Sequence, residues 1–155
     1  VAVRLPRFEV IDTFSLVVVP PFWPTVRRNM HEKVVAMHEA SGLLAEVDAA
    51  HEAGACFTLA IEEACRSFIR HFFPERLNTP KPVLGGANPD FDRRFLAKRM
   101  PKVHASLHYR NFDVRSLTQL QDWILGVAHS EFRLRRALPD CMKAIQDVRD
   151  FLGVQ

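Results

Sequence analysis

Cysteine is scarce in this 155-residue chain: there are three, an odd number, and none has metal-ligand spacing. Cys56, Cys65 and Cys141 all fall in apolar periodic stretches. They exclude a disulfide framework and read as reduced core residues of a cytoplasmic protein. Long hydrophobic runs are missing too. Phe14 to Pro20 is the longest near the start, too short to span a bilayer, and no cleavage-site pattern follows it, so no membrane partner is expected. There is no internal repeat and no low-complexity segment. Charge of one sign is only slightly in excess, at +3 with a pI near 9.0, which favours an anionic partner but falls short of a nucleic-acid-binding tail.

What is present is ordinary globular material, 48% hydrophobic and 25% charged, enough for a single domain over residues 1–155. The first residue is Val1 rather than Met, so an upstream segment is expected. Val1 to Val3 and Phe8 to Val19 are rich in β-branched and aromatic residues and predict two strands joined by a turn. Prolines 20, 21 and 24 end the second. Thr25 to Glu39 is helix-compatible, Ser41-Gly42 is a stop, and a short helical stretch runs on to Ala50.

Apolar residues at 57, 61, 65, 68 and 72 keep the 3.6-residue period and give the clearest amphipathic helix, Ala55 to Phe73. Val83 to Gly86 predicts a short buried strand ending in a tight turn. A helix from Asp92 to Arg99, stopped by Pro101, comes next. Phe112 to Val114 is a brief strand leading into a helix through Leu117, Leu120 and Ile124. The last helix carries Cys141, Ile145, Val148 and Leu152 on one face. Strands leading and helices interleaved argue for a three-layer α/β or α+β domain.

Three segments concentrate chemistry. In Gly86-Ala87-Asn88-Pro89-Asp90-Phe91-Asp92-Arg93-Arg94-Phe95-Leu96 an acid stands where a turn becomes a helix, so Asp92 is either a helix cap or a functional carboxylate. The two arginines after it read as solvated or phosphate-facing. In Leu107-His108-Tyr109-Arg110-Asn111-Phe112-Asp113-Val114 an aromatic ring, a guanidinium and an amide cluster before a strand, a set able to stack a base and bind a phosphate. In Arg135-Arg136-Ala137-Leu138-Pro139-Asp140 a second acid stands at a helix start, with capping again the alternative.

In order and spacing these segments resemble the oligoribonuclease branch of the DEDD 3′-5′ exonucleases. That family shows Gly-Asn-Ser-x-x-x-Asp-Arg-Arg-Phe-Leu, then Met-Pro, then His-Tyr-Arg-x-x-Asp-Val. This chain has Gly86 through Asp92-Arg93-Arg94-Phe95-Leu96, Met100-Pro101, and His108-Tyr109-Arg110-Asn111-Phe112-Asp113-Val114. Upstream, His38-Glu39-Ala40-Ser41-Gly42-Leu43 resembles the family's His-x-x-Ser-Gly-Leu. The likeness implies an RNase H-like three-layer exonuclease fold with a central mixed sheet, whose first strand is absent from the chain. It implies metal-dependent removal of nucleoside 5′-monophosphates from short single-stranded RNA. Asp92 and Asp140 would be metal ligands for two divalent ions, Mg or Mn, since hard cations prefer oxygen donors. Tyr109 and Arg110 would contact base and terminal phosphate from the neighbouring subunit of a homodimer, with His38 and Asn88 lining the same cleft.

Two departures stand against this pattern. The family's opening Asp-x-Glu does not occur in the chain, and Glu9 and Asp12 lie on the strand pair that follows its place. In the third motif Arg135, five residues before Asp140, occupies the position of the general-base histidine, and a guanidinium cannot accept a proton at neutral pH. The alternative is therefore a catalytically degenerate exonuclease fold kept as a nucleic-acid-binding or assembly module.

Overall fold

The computed structural model describes residues 1–4, 7–55, 59–74, 79–126 and 137–154. It is a mixed α/β fold. An N-terminal hairpin pairs β1 (Ala2–Arg4) antiparallel with β2 (Glu9–Asp12), with a register shift between Ala2 and Val3. The expected strand pair is present, but the second strand ends at Asp12, well short of Val19. Beyond it Phe14 stacks on Phe68 at 5.4 Å, so the apolar run feeds a core contact instead of extending the ladder.

Three helices follow: α1 (Trp23–Arg28), α2 (Glu32–Ala40) and α3 (Leu43–Glu52). The single helix expected from Thr25 to Glu39 is interrupted at Asn29–His31. His31 adopts an extended backbone and its ring accepts the Lys33 N–H, so a new helix is capped there. Gly42, with φ of 72°, makes the left-handed stop that Ser41-Gly42 predicts. Val19, Trp23, Leu44 and Val47 form the buried core of this part, and the Trp23 indole N–H donates to Asp48 at 2.7 Å.

The long amphipathic helix α4 (Leu59–Phe72) keeps its expected phase, with Ile61, Cys65, Phe68 and Phe72 half-buried. Its Glu62 is buried and accepts N–H bonds from Lys102 at 2.6 Å and Val103 at 3.3 Å. Those donors open α6 (Pro101–Ser106), a helix the sequence did not predict. Pro101 stops α5 (Pro89–Arg99) and also serves as the first residue of α6, where its missing N–H costs nothing.

Strands β3 (Leu84–Gly86) and β4 (Asn111–Asp113) pair parallel, placing Gly86 beside Asp113. Helices α5, α7 (Val114–Leu125) and α8 (Ala137–Leu152) pack against this pair. A second core joins Val114, Ala144 and Val148, with Phe8, Phe112 and Leu117 against it. Antiparallel and parallel pairing are both present, but among the described residues they form two separate two-stranded ladders. Each strand runs for three or four residues, and this mixed α/β arrangement is consistent with the RNase H-like exonuclease fold expected from the sequence. Among the described residues no helix is long and apolar enough to cross a membrane.

Candidate functional site

The acid of the first segment is not a helix cap. Helix α5 begins at Pro89, one turn earlier than the sequence indicates, and its N-cap is Asn88 in the left-handed region with φ of 67°. Asparagine tolerates that conformation better than most side chains. Asp92 is thus the fourth helical residue, past the orphan donors that a cap would serve. Asp140 likewise lies inside α8, with Ala137, Leu138 and Pro139 helical before it. The capping alternative is removed for both.

Both acids act on the thiol of Cys141. The thiol of Cys141 is raised first by burial, with the Asp92 and Asp140 carboxylates raising it further and the amino group of Val1 opposing them. Three segments remote in sequence therefore lie within electrostatic reach of a single sulfur. Cys141 is exposed, which corrects its reading as a core residue. Partial desolvation also raises the Asp92 carboxyl, and the bond from its own backbone N–H offsets only part of this. Among the described residues neither carboxylate has an ion-pair partner or a donor from another residue.

Around this pair the two motif segments are cross-linked by side chains. The Asp113 carboxylate caps α7, accepting from the Arg115 N–H at 3.0 Å and the Ser116 hydroxyl at 2.8 Å, and it also accepts the Asn88 N–H at 3.1 Å. Burial alone would raise Asp113, but the bonds from Ser116, Asn88 and Arg115 together hold it below the ordinary carboxylate range. Asn111 donates to Asp90. Arg93 does not face solvent: its guanidinium donates to Asn111 Oδ1 at 2.7 Å, to the His108 carbonyl at 2.6 Å and to the Arg110 carbonyl at 3.3 Å.

Those bonds hold the exposed pair. Tyr109 is 73% exposed, its ring 4.5 Å from that of His108, and the Arg110 guanidinium lies over it at 5.4 Å. His108 itself is fastened by its N–H to the Pro82 carbonyl at 2.8 Å. Of the other expected site residues, Asn88 keeps its side chain out of capping bonds and is solvent-exposed. His38 lies on α2, which packs against α3, with its Nδ1 buried and unpartnered. Arg135 lies outside the described residues. The sequence reading passed over Arg93 and Asp113 as site builders. An Asp before a helix with Ser three residues on is a visible cap signal, whereas nothing local announces that Arg93 binds distant carbonyls.

As hard oxygen donors that pair with no cationic side chain among the described residues, Asp92 and Asp140 fit a divalent ion in kind. In number they are half a set: among the described residues no group of three or more His, Cys, Asp or Glu side chains could hold a metal.

No protein-family model matches the chain. It is 34% identical over 125 residues to the oligoribonuclease of Cutibacterium acnes, a match covering 77% of this chain and 57% of that protein. Against the oligoribonuclease of Leifsonia xyli subsp. xyli it is 30% identical over 154 residues, covering 96% of this chain and 70% of that protein. With the Neisseria meningitidis oligoribonuclease it shares 32% over 126 residues, 79% of this chain and 63% of that one. The chain thus spans between 57% and 70% of the length of these relatives. With nearly every residue aligned to one of them and the motif segments in place, the chain belongs to the oligoribonuclease family.

Proposed function

We propose that this chain is the larger part of a divalent-metal-dependent 3′-5′ exonuclease that degrades short RNA to nucleoside 5′-monophosphates. The observation that carries the reading is membership of the oligoribonuclease family, with the segments of Asp92, His108-Tyr109-Arg110 and Asp140 in that family's order. Among the described residues neither Asp92 nor Asp140 pairs with a cationic side chain, which leaves both carboxylates available to a bound cation.

Asp92 and Asp140 are the residues that would hold Mg or Mn here. The bound ions would supply electrostatic stabilisation to the oxygens of an in-line phosphodiester displacement. In the family's pattern an Asp-x-Glu would complete the ligand set. Tyr109 offers a stacking face to a base, and Arg110 offers a planar fork to a phosphate. Its own chain leaves the Tyr109 ring in solvent, which supports delivery of the pair to the cleft of a second copy in a homodimer. His38 and Asn88 would border the substrate. Arg135 cannot deprotonate water and would hold substrate phosphate instead.

The test is incubation of the full-length protein with a labelled di- to pentaribonucleotide, with and without Mn²⁺, alongside Asp92→Ala and Asp140→Ala. Metal-dependent release of mononucleotides by the parent protein and its loss in both variants is the expected result. Oligonucleotide binding without any turnover would replace this reading with a binding module.

A further inference from the structure

Residues 108–110 belong to no regular element: they lie between the end of α6 and the start of β4. A short exposed connection of this kind ordinarily keeps considerable backbone freedom, and ordering it costs conformational entropy. Here the carbonyls on both sides of Tyr109, those of His108 and Arg110, accept from the same Arg93 nitrogen. The Nε–H of the same guanidinium binds Asn111, the first residue of β4. Arg93 follows Asp92 directly on α5, so the helix that presents the acid also grips the loop that presents the tyrosine.

All three acceptors are neutral, and among the described residues no carboxylate pairs with this half-buried cation. A guanidinium used for charge neutralisation would be expected beside an acid. One used for geometry needs several acceptors spread over a plane, which is the arrangement here.

We infer that Arg93 is a positioning residue that fixes the backbone carrying the Tyr109–Arg110 pair, and so governs oligonucleotide binding through residues it does not itself present to substrate. This inference rests on the proposed substrate role of that pair. Lysine keeps the charge of Arg93 but donates from a single point and cannot span the three acceptors.

Two measurements on the full-length protein test it. Tyr109 is the one tyrosine in this chain. Fluorotyrosine labelling therefore gives a ¹⁹F resonance that Tyr109→Phe identifies. Arg93→Lys should broaden or split that resonance while the circular dichroism spectrum stays unchanged, and a sharp resonance at the parent position overturns the inference whatever the protein's activity. The second measurement is the affinity for a labelled short oligoribonucleotide in Ca²⁺, by anisotropy. Arg93→Lys should weaken binding about tenfold or more, because small misplacements of binding groups cost up to about a hundredfold.

The double variant Tyr109→Ala with Arg110→Ala should weaken binding at least as much, and adding Arg93→Lys to it should cost nothing further. Additive losses mean that Arg93 acts elsewhere and overturn the inference. An unchanged affinity in the Tyr109–Arg110 double variant instead refutes the substrate role of the pair, a failure that the ¹⁹F signal distinguishes from the first. Should Arg93→Lys not fold, Asn111→Ala removes one anchor alone and should show the same pattern at about two- to fivefold, the scale of one ordinary hydrogen bond.

Discussion

The helical part around Trp23 and the motif part around β3 and β4 are held together by different physics. In the first, Val19, Trp23, Leu44 and Val47 are almost completely buried, and α1, α2 and α3 close around them. In the second, the buried core among the described residues is smaller, and directed hydrogen bonds to Asp113 and from Arg93 and Asn111 bind one motif segment to the other. Burial is non-directional and tolerates small slips of one helix on another. Bonds to named acceptors do not, so they suit a region that must hold carboxylates and an aromatic ring in solvent at set positions.

The contrast is open to direct attack, and the largest effect is expected in the helical part. Trp23→Ala removes a buried ring and its bond to Asp48, and should cost about 3–5 kcal/mol of stability. The folded fraction should keep its oligonucleotide affinity. Denaturant titration together with binding per folded molecule checks this, and affinity falling in step with stability would show that the two regions are not separable.

The reverse is expected of Asp92→Asn. It breaks no ion pair or hydrogen bond to another described residue, so the melting temperature should hold. Metal-dependent mononucleotide release should fall roughly a hundredfold or more, the usual cost of deleting one transition-state stabilising group. A large fall in melting temperature with activity retained would assign Asp92 to the scaffold.

Between these extremes, Asp113→Ala removes the cap of α7 and the tie to Asn88, for about 1–2 kcal/mol. It should also weaken substrate binding, which Trp23→Ala does not, because Asn88 would lose its anchor. The smallest effect is the pH dependence of the same residue. Its folded carboxyl lies below the ordinary carboxylate value, so its contribution to stability is present above the unfolded value and is lost as pH falls through the depressed folded one. Asp113→Asn should flatten the acid limb of a stability profile there, and an unchanged limb would mean that its hydrogen bonds do not favour the ionised form.

Much of this was readable in advance where a local rule decides the matter. The period of Ile61, Cys65, Phe68 and Phe72, the stop at Gly42, and the strands before Asn88 and Val114 all follow from spacing and backbone preference. Reading failed where two rules competed for one residue. Pro101 obeys both the rule that ends a helix and the rule that begins one, and the donors of Lys102 and Val103 needed Glu62 from α4 to settle the second. His31 likewise divided an uninterrupted helical composition into α1 and α2.

The candidate site divides in the same way. The order of Asp92, Met100-Pro101, His108-Tyr109-Arg110 and Asp113 carried the family, because motif order is a property of the chain itself. Whether Asp92 and Asp140 cap their helices was decided by the helical residues that precede each. Arg93 offered the same guanidinium to either role, solvent or scaffold. Folding put three acceptors within its reach, and a desolvated donor must find such partners, so tertiary structure alone turned it inward.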